Sequence, residues 1–119
     1  MRKILEVEDM AVLVRVWQKM LGPKVNVIWA PTIEAARIEL TRSLDFDAVL
    51  MDCCVPGNIP NTYGLTREIR SMGFTKPIIA KSSTQDYCLK QLEFGATHAA
   101  VNGDVIEVLF EVLKLDQNR

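Results

Sequence analysis

Short apolar runs alternate with longer stretches of helical period along the whole chain, and five such pairs fit between Ile4 and Leu115. Residues 4–7 read as a first strand. Residues 10–21 follow as a helix, with Val12, Val16 and Met20, and Leu13 and Trp17, recurring at helical spacing until Gly22-Pro23 stops it. Residues 25–30 are β-branched and aromatic, hence a strand, and Thr32 is placed to cap a second helix carrying Ala35, Ala36, Ile38 and Leu40. Residues 47–52 form an apolar run bracketed by acids, a third strand. The turn pairs Pro56-Gly57 and Pro60-Asn61 make residues 53–62 a loop. Then come a helix over 63–72 closing at Gly73, a strand over 77–80, a helix over 84–94 ended by Gly95, a strand over 98–101 and a helix over 104–115. Residues 116–119 trail behind it.

Strands separated by helices cannot pair as hairpins; they pair in parallel, with right-handed crossovers that cover both faces of the sheet. The expected fold is a doubly wound α/β sandwich, five parallel strands flanked by five helices, as one domain over residues 1–119. No repeat, low-complexity tract or linker interrupts it, and no room is left for an output domain.

Composition narrows the function. The 119 residues are 49% hydrophobic, too apolar for disorder, and 14 Lys+Arg against 15 Asp+Glu give a net charge of −1. That balance argues against a basic nucleic-acid or membrane footprint. No apolar run approaches a membrane span, and the first residues acquire acids too soon for a secretory signal. Cys53, Cys54 and Cys88 are an odd number without C-x-x-C, and His98 is the only histidine. A disulfide scaffold and a zinc site are both disfavoured, and a cytoplasmic protein is expected.

In an open α/β sheet, ligands bind beyond the carboxyl ends of the strands, where strand order reverses. The first strand ends in Glu8-Asp9, the third in Asp52, the fourth in Ser82-Ser83 and the fifth in Asn102-Gly103. Three carboxylates gathered on one rim would raise each other's pKa values, and a hard cation bound by oxygen removes that cost, which suits Mg²⁺. Asp52 then becomes a credible nucleophile toward a phosphoryl group.

These signposts, Ile4-Leu5-Glu6-Val7-Glu8-Asp9, then Asp52 with Pro56 four residues on, then Pro77 to Ser83 and Gly95-Ala96, resemble the receiver domain of two-component response regulators (CheY-like) from Arg2 to about Leu115. The resemblance implies a phosphoacceptor rather than an enzyme. Asp52 would take the phosphoryl group from a histidine kinase or histidine phosphotransfer protein, and a downstream protein target would read the result. Pairing of two copies is a further contact the family uses. Asp9, Asp52 and the main-chain carbonyl of Cys54 would bind Mg²⁺, Glu8 would act through a bound water, and Ser82 would be the switch hydroxyl.

The chain departs from the family pattern in three places. Asn102 stands where receivers carry a lysine; a charged hydrogen bond is worth about 1.5–3 kcal/mol against roughly 1 for a neutral one. Ala99 replaces the switch aromatic. Gly64 comes eight residues after Pro56 rather than four, which lengthens the loop. A degenerate receiver, binding a partner without phosphorylation, is therefore the alternative. A flavodoxin-like cofactor carrier lacks its phosphate-binding loop here, and a D-x-D hydrolase fails because Cys54 stands where its second acid is needed.

The remaining residues take plain readings. Lys81 is expected to pack its stem and snorkel its ammonium to water. The alternative, that it bends over the rim to supply the missing charge, runs against strand alternation, because Ser82 should face the site. Thr84 is expected to cap its helix. The cysteines read as small core residues, His98 as a strand-edge side chain, Trp17 and Trp29 as packing, Asp45 and Asp47 as a solvated turn, and Arg67, Glu68 and Arg70 as an outer helix face.

Overall fold

A computed structural model describes residues 1–115; the expected trailing segment, residues 116–119, lies outside the described residues. Strands β1 (Arg2–Val7), β2 (Val25–Ala30), β3 (Ala48–Asp52), β4 (Ile78–Ser82) and β5 (His98–Val101) form one parallel sheet in the order β2-β1-β3-β4-β5. Helices α1 (Ala11–Leu21), α2 (Ile33–Arg42), α3 (Tyr63–Ser71), α4 (Gln85–Gln91) and α5 (Val105–Leu113) carry the chain between and after them. Both layers of the expected sandwich are present.

Alternation along the strands divides the core in two. Leu5, Val7, Val49, Met51, Ile78 and Ala80 face the layer that holds Ala36, Leu40, Leu65, Ile69 and Cys88. Ile4, Ala48, Leu50, Ile79 and Ala100 face Trp17, Leu21, Val105, Leu109 and Leu113. Thus α2, α3 and α4 cover one face, and α1 and α5 the other. Helix α1 settles a point that spacing left open: it buries Val14, Trp17 and Leu21, whereas Val12, Val16 and Met20 lie exposed.

Local chemistry fixes the element ends. The Thr32 hydroxyl accepts the Ala35 N–H at 3.0 Å, the expected cap of α2. Helix α4 tightens into a 3₁₀ turn, Leu92–Phe94, and ends at Gly95 with φ 120°, a conformation glycine adopts freely. Arg70, expected to be solvated, instead reaches across α3 to donate to the carbonyls of Gly95 (2.9 Å), Phe74 (2.9 Å) and Lys76 (2.7 Å). It ties three loop carbonyls together. Asp47 is likewise more than a solvated turn, since its carboxylate accepts the Lys3 N–H at 2.8 Å and holds β1 beside the start of β3. His98 is half-buried on the edge strand β5, beside the Thr97 hydroxyl at 2.8 Å. No helix among the described residues is long and apolar enough to cross a membrane.

Candidate phosphoacceptor site

Strand order reverses between β1 and β3, and the acids singled out in the sequence gather at that point. Glu8 follows β1 and is fully buried. Its N–H donates to Ala30 at 3.1 Å, and its carbonyl accepts the Trp29 indole N–H at 2.6 Å, so β2 holds it from both sides of the peptide. Asp52 closes β3, and its Oδ1 accepts the Cys54 N–H at 3.2 Å, a turn that Asp side chains make readily. Glu8, Asp9 and Asp52 each offer a carboxylate oxygen within 4.8 Å of the other two.

The electrostatics of this cluster follow from its burial. Loss of solvent pushes the Asp52 carboxyl up to about 7; Lys81 pulls it down and Glu8 pushes it further up. Burial, followed in smaller measure by Glu8, also raises Asp9. A cation seated among these oxygens would offset the burial and mutual repulsion that raise Asp52 and Asp9.

Lys81 overturns its expected reading. It is 1% exposed, so its ammonium does not reach water. It bonds Glu8 Oε1 and lies 3.9 Å from Asp52 Oδ2. Alternation along β4 alone does not give the face that Asp52 occupies; the pairing of β3 with β4 does. Asp52 and Lys81 are partners in register on β3 and β4, and side chains of neighbouring strands at one register position share a face. Ala100, next in register on β5, carries only a methyl group and leaves room for the lysine stem. Strand β4 also runs two residues further than expected, through Lys81 and Ser82.

Glu6 escaped sequence reasoning altogether. It lies in mid-β1 on the same face as Lys81, fully buried, with neither carboxylate oxygen hydrogen-bonded. Burial pushes its carboxyl up to about 8, against the pull of Lys81, so it is mostly protonated at neutral pH. An acid inside the run Ile4-Leu5-Glu6-Val7 was the available signal.

A cavity of about 400 Å³ opens beside Asp52, lined among others by Cys54, Lys81, Ser82, Thr84 and Asn102. Ser82, 8% exposed, accepts the Thr84 N–H at 3.0 Å. The Thr84 hydroxyl makes no cap bond, contrary to the cap expected of it, and the Ser82 bond to its N–H is a turn that precedes α4. Asn102 opens a 3₁₀ turn, Asn102–Asp104, and its buried Oδ1 has no hydrogen-bond partner. Ala99 pairs in register with Ala80, and neither carries a ring.

A second missed group lies beneath the lengthened loop. Asn61 bridges it, with Oδ1 accepting the Val55 N–H and Nδ2 donating to the Val55 carbonyl, both at 2.8 Å. Thr62 donates its hydroxyl to the Asp52 carbonyl at 2.8 Å and accepts from Gln91 Nε2 at 2.8 Å. Cys53, Cys54 and Cys88 are buried free thiols, as a packing role requires, and hydrogen bonding with Cys88 together with burial pushes the Cys53 thiol up.

No protein-family model matches the sequence, and no curated protein does. Solved structures do match. The receiver domain of Francisella response regulator 1452 is similar with a TM-score of 0.78 at 16% identity, over 97% of this chain and 96% of that one. A two-component response regulator from Clostridium difficile is similar with a TM-score of 0.78 at 16% identity over 100% of both chains. The Mn²⁺-bound form of response regulator Rcp1 has a TM-score of 0.73 at 18% identity, over 100% of this chain and 98% of that one. The chain has the fold of response regulator receiver domains.

Proposed function

We propose that this chain is a phosphoacceptor receiver, taking a phosphoryl group on Asp52 from the phosphohistidine of a histidine kinase or phosphotransfer protein. One observation carries the reading: Asp52 ends the central strand within 4.8 Å of Glu8 and Asp9 and opens onto a polar cavity that Ser82 and Asn102 also line. An oxygen nucleophile, an acidic cation seat and hydroxyl and amide groups thereby share one rim.

The donor set fits a hard divalent ion. Both Glu8 oxygens are engaged, one by Lys81 and one by the Met10 N–H at 3.1 Å, so the direct ligands would be the carboxylates of Asp9 and Asp52 with the Cys54 carbonyl. Glu8 would act through a bound water. Similarity to a receiver whose structure holds Mn²⁺ supports a metal here, and Mg²⁺ is the ion proposed. When bound, it would neutralise charge developing on the transferring group. The chain's own residues do the rest. Thr62 and the Cys54 N–H fix the Asp52 peptide and carboxylate, and Ser82 and Asn102 face the incoming oxygens. Output would pass by contact of this domain with a downstream protein, in the cytoplasm.

Intact-mass measurement after incubation with Mg²⁺ and acetyl phosphate tests this. A gain of roughly 80 daltons that disappears in Asp52→Ala is expected. No gain favours the second reading, a degenerate receiver that binds its partner unphosphorylated. The observation on that side is Lys81, which already occupies Glu8 with a cation inside the acidic cluster.

A further inference from the structure

Burying an ammonium requires anionic partners, and Lys81 is 1% exposed on a sheet face whose other buried polar side chain below the rim is Glu6, its carboxylate oxygens without hydrogen bonds. An ammonium has three N–H donors. Glu8 Oε1 takes one of them, and Asp52 Oδ2, at 3.9 Å, is too far for a hydrogen bond yet close enough for attraction. The other two donors have no partner among the described residues, and Lys81 lines the cavity together with Asp52, Ser82 and Asn102. Asn102 faces the same cavity with a buried amide oxygen that has no partner, and an amide brings no charge to an anion. Glu8 is placed to hold the lysine. It is fully buried, fixed through its own peptide by Trp29 and Ala30, and unable to turn toward water.

From this geometry we infer that Lys81 is the phosphoryl-contacting cation of the site: β4 supplies, from beside Asp52, the positive charge that β5 lacks at Asn102. The inference rests on the phosphoacceptor reading and adds a catalytic residue to it. With acetyl phosphate as donor, an Asp52 carboxylate oxygen forms the new O–P bond. The bond from phosphorus to the acetate oxygen breaks, and acetate leaves with the electron pair. Lys81 keeps its proton throughout and attracts the phosphoryl oxygens by charge.

Two measurements test the assignment. In the wild-type protein with Mg²⁺, beryllofluoride serves as a phosphoryl mimic, its binding followed by ¹⁹F resonance and the Lys81 side chain by its own ¹⁵Nζ and ¹³Cε resonances. The Lys81 signals are expected to move in step with bound fluoride. Bound fluoride with an unmoved Lys81 overturns the inference, whereas absence of both fluoride binding and phosphorylation overturns the phosphoacceptor reading and the inference with it. In the second measurement, Lys81→Met should slow phosphorylation by acetyl phosphate by roughly tenfold or more, the loss expected of a charged hydrogen bond. Lys81→Met/Asn102→Lys, which moves the charge to β5, should recover most of that rate. A Lys81→Met rate equal to wild type overturns the assignment, as does a folded double variant no faster than a folded Lys81→Met. A purely structural counter-ion for Glu8 would not be rescued from β5. Should Lys81→Met fail to fold, the resonance measurement on the wild type decides alone.

Discussion

The hydroxyl of Thr62 donates to the main-chain carbonyl of Asp52 at 2.8 Å, and Gln91 donates to the same hydroxyl at 2.8 Å. All of the Thr62 side chain is buried, so the end of β3, the far end of its loop and α4 meet through one oxygen atom. Thr62→Val keeps the shape and removes that oxygen, which strands the Asp52 carbonyl and the Gln91 amide away from water. A loss of about 1–3 kcal/mol in urea unfolding is expected, with slower phosphorylation of Asp52 as the functional counterpart. Unchanged stability would show that water replaces the hydroxyl.

Glu6 gives the fold a pH dependence of definite sign. Its carboxyl is held at about 8 against an ordinary 4.5, so the folded chain keeps a proton that the unfolded chain releases. Stability should fall as pH rises through the window from about 4.5 to about 8. Glu6→Gln removes this slope. Asp52 contributes similarly to both proteins, so their difference reports Glu6. With EDTA present to exclude divalent cations, urea unfolding should show the variant gaining on wild type by a few kcal/mol, to order of magnitude, by pH 8.5. Parallel curves would contradict a buried, unpartnered acid.

Trp29 is placed to report cation binding at the proposed site, because its indole N–H bonds the carbonyl of Glu8, next in sequence to the proposed ligand Asp9. Titration with Mg²⁺ should change tryptophan emission, and Trp29→Phe should abolish the change while Trp17 remains. Asp9→Asn should raise the Mg²⁺ concentration needed by roughly tenfold or more, since it removes a charged oxygen ligand. An Asp9→Asn curve that overlays the wild type would remove Asp9 from the proposed ligand set.

Gly95 tests the packing behind α4. At φ 120° a side chain is strained, and a β-carbon there would come within 2.7 Å of Arg70 Cγ. That carbon cannot easily retreat, because the Arg70 guanidinium is pinned by three carbonyls. Gly95→Ala should therefore cost about 1–3 kcal/mol in thermal or urea unfolding.

Strands and rim acids were legible in the sequence because their signals are local. β2 and β5 match their apolar runs to the residue, and Glu8, Asp9 and Asp52 stand where strands meet loops. What escaped depends on contacts between distant segments. The run Val12, Val16, Met20 has helical spacing yet faces outward, because spacing defines a stripe but not the side on which the sheet lies. Lys81 looked like a strand's polar end, and only the pairing of β3 with β4 shows that it shares a face with Asp52. Thr62 and Gln91 are separated by a whole crossover, and no local pattern joins them.

The two bonds between Asn61 and Val55 close the intervening segment into a ring whose ends cannot part. The tip of that ring, residues 56–59, is exposed, with Gly57 and Asn58 on the cavity wall. Substitutions there can redraw the entrance while the strand terminus behind it stays anchored. The doorway and the hearth are separately adjustable, and evolution could retune what gains entry without disturbing the aspartate behind it.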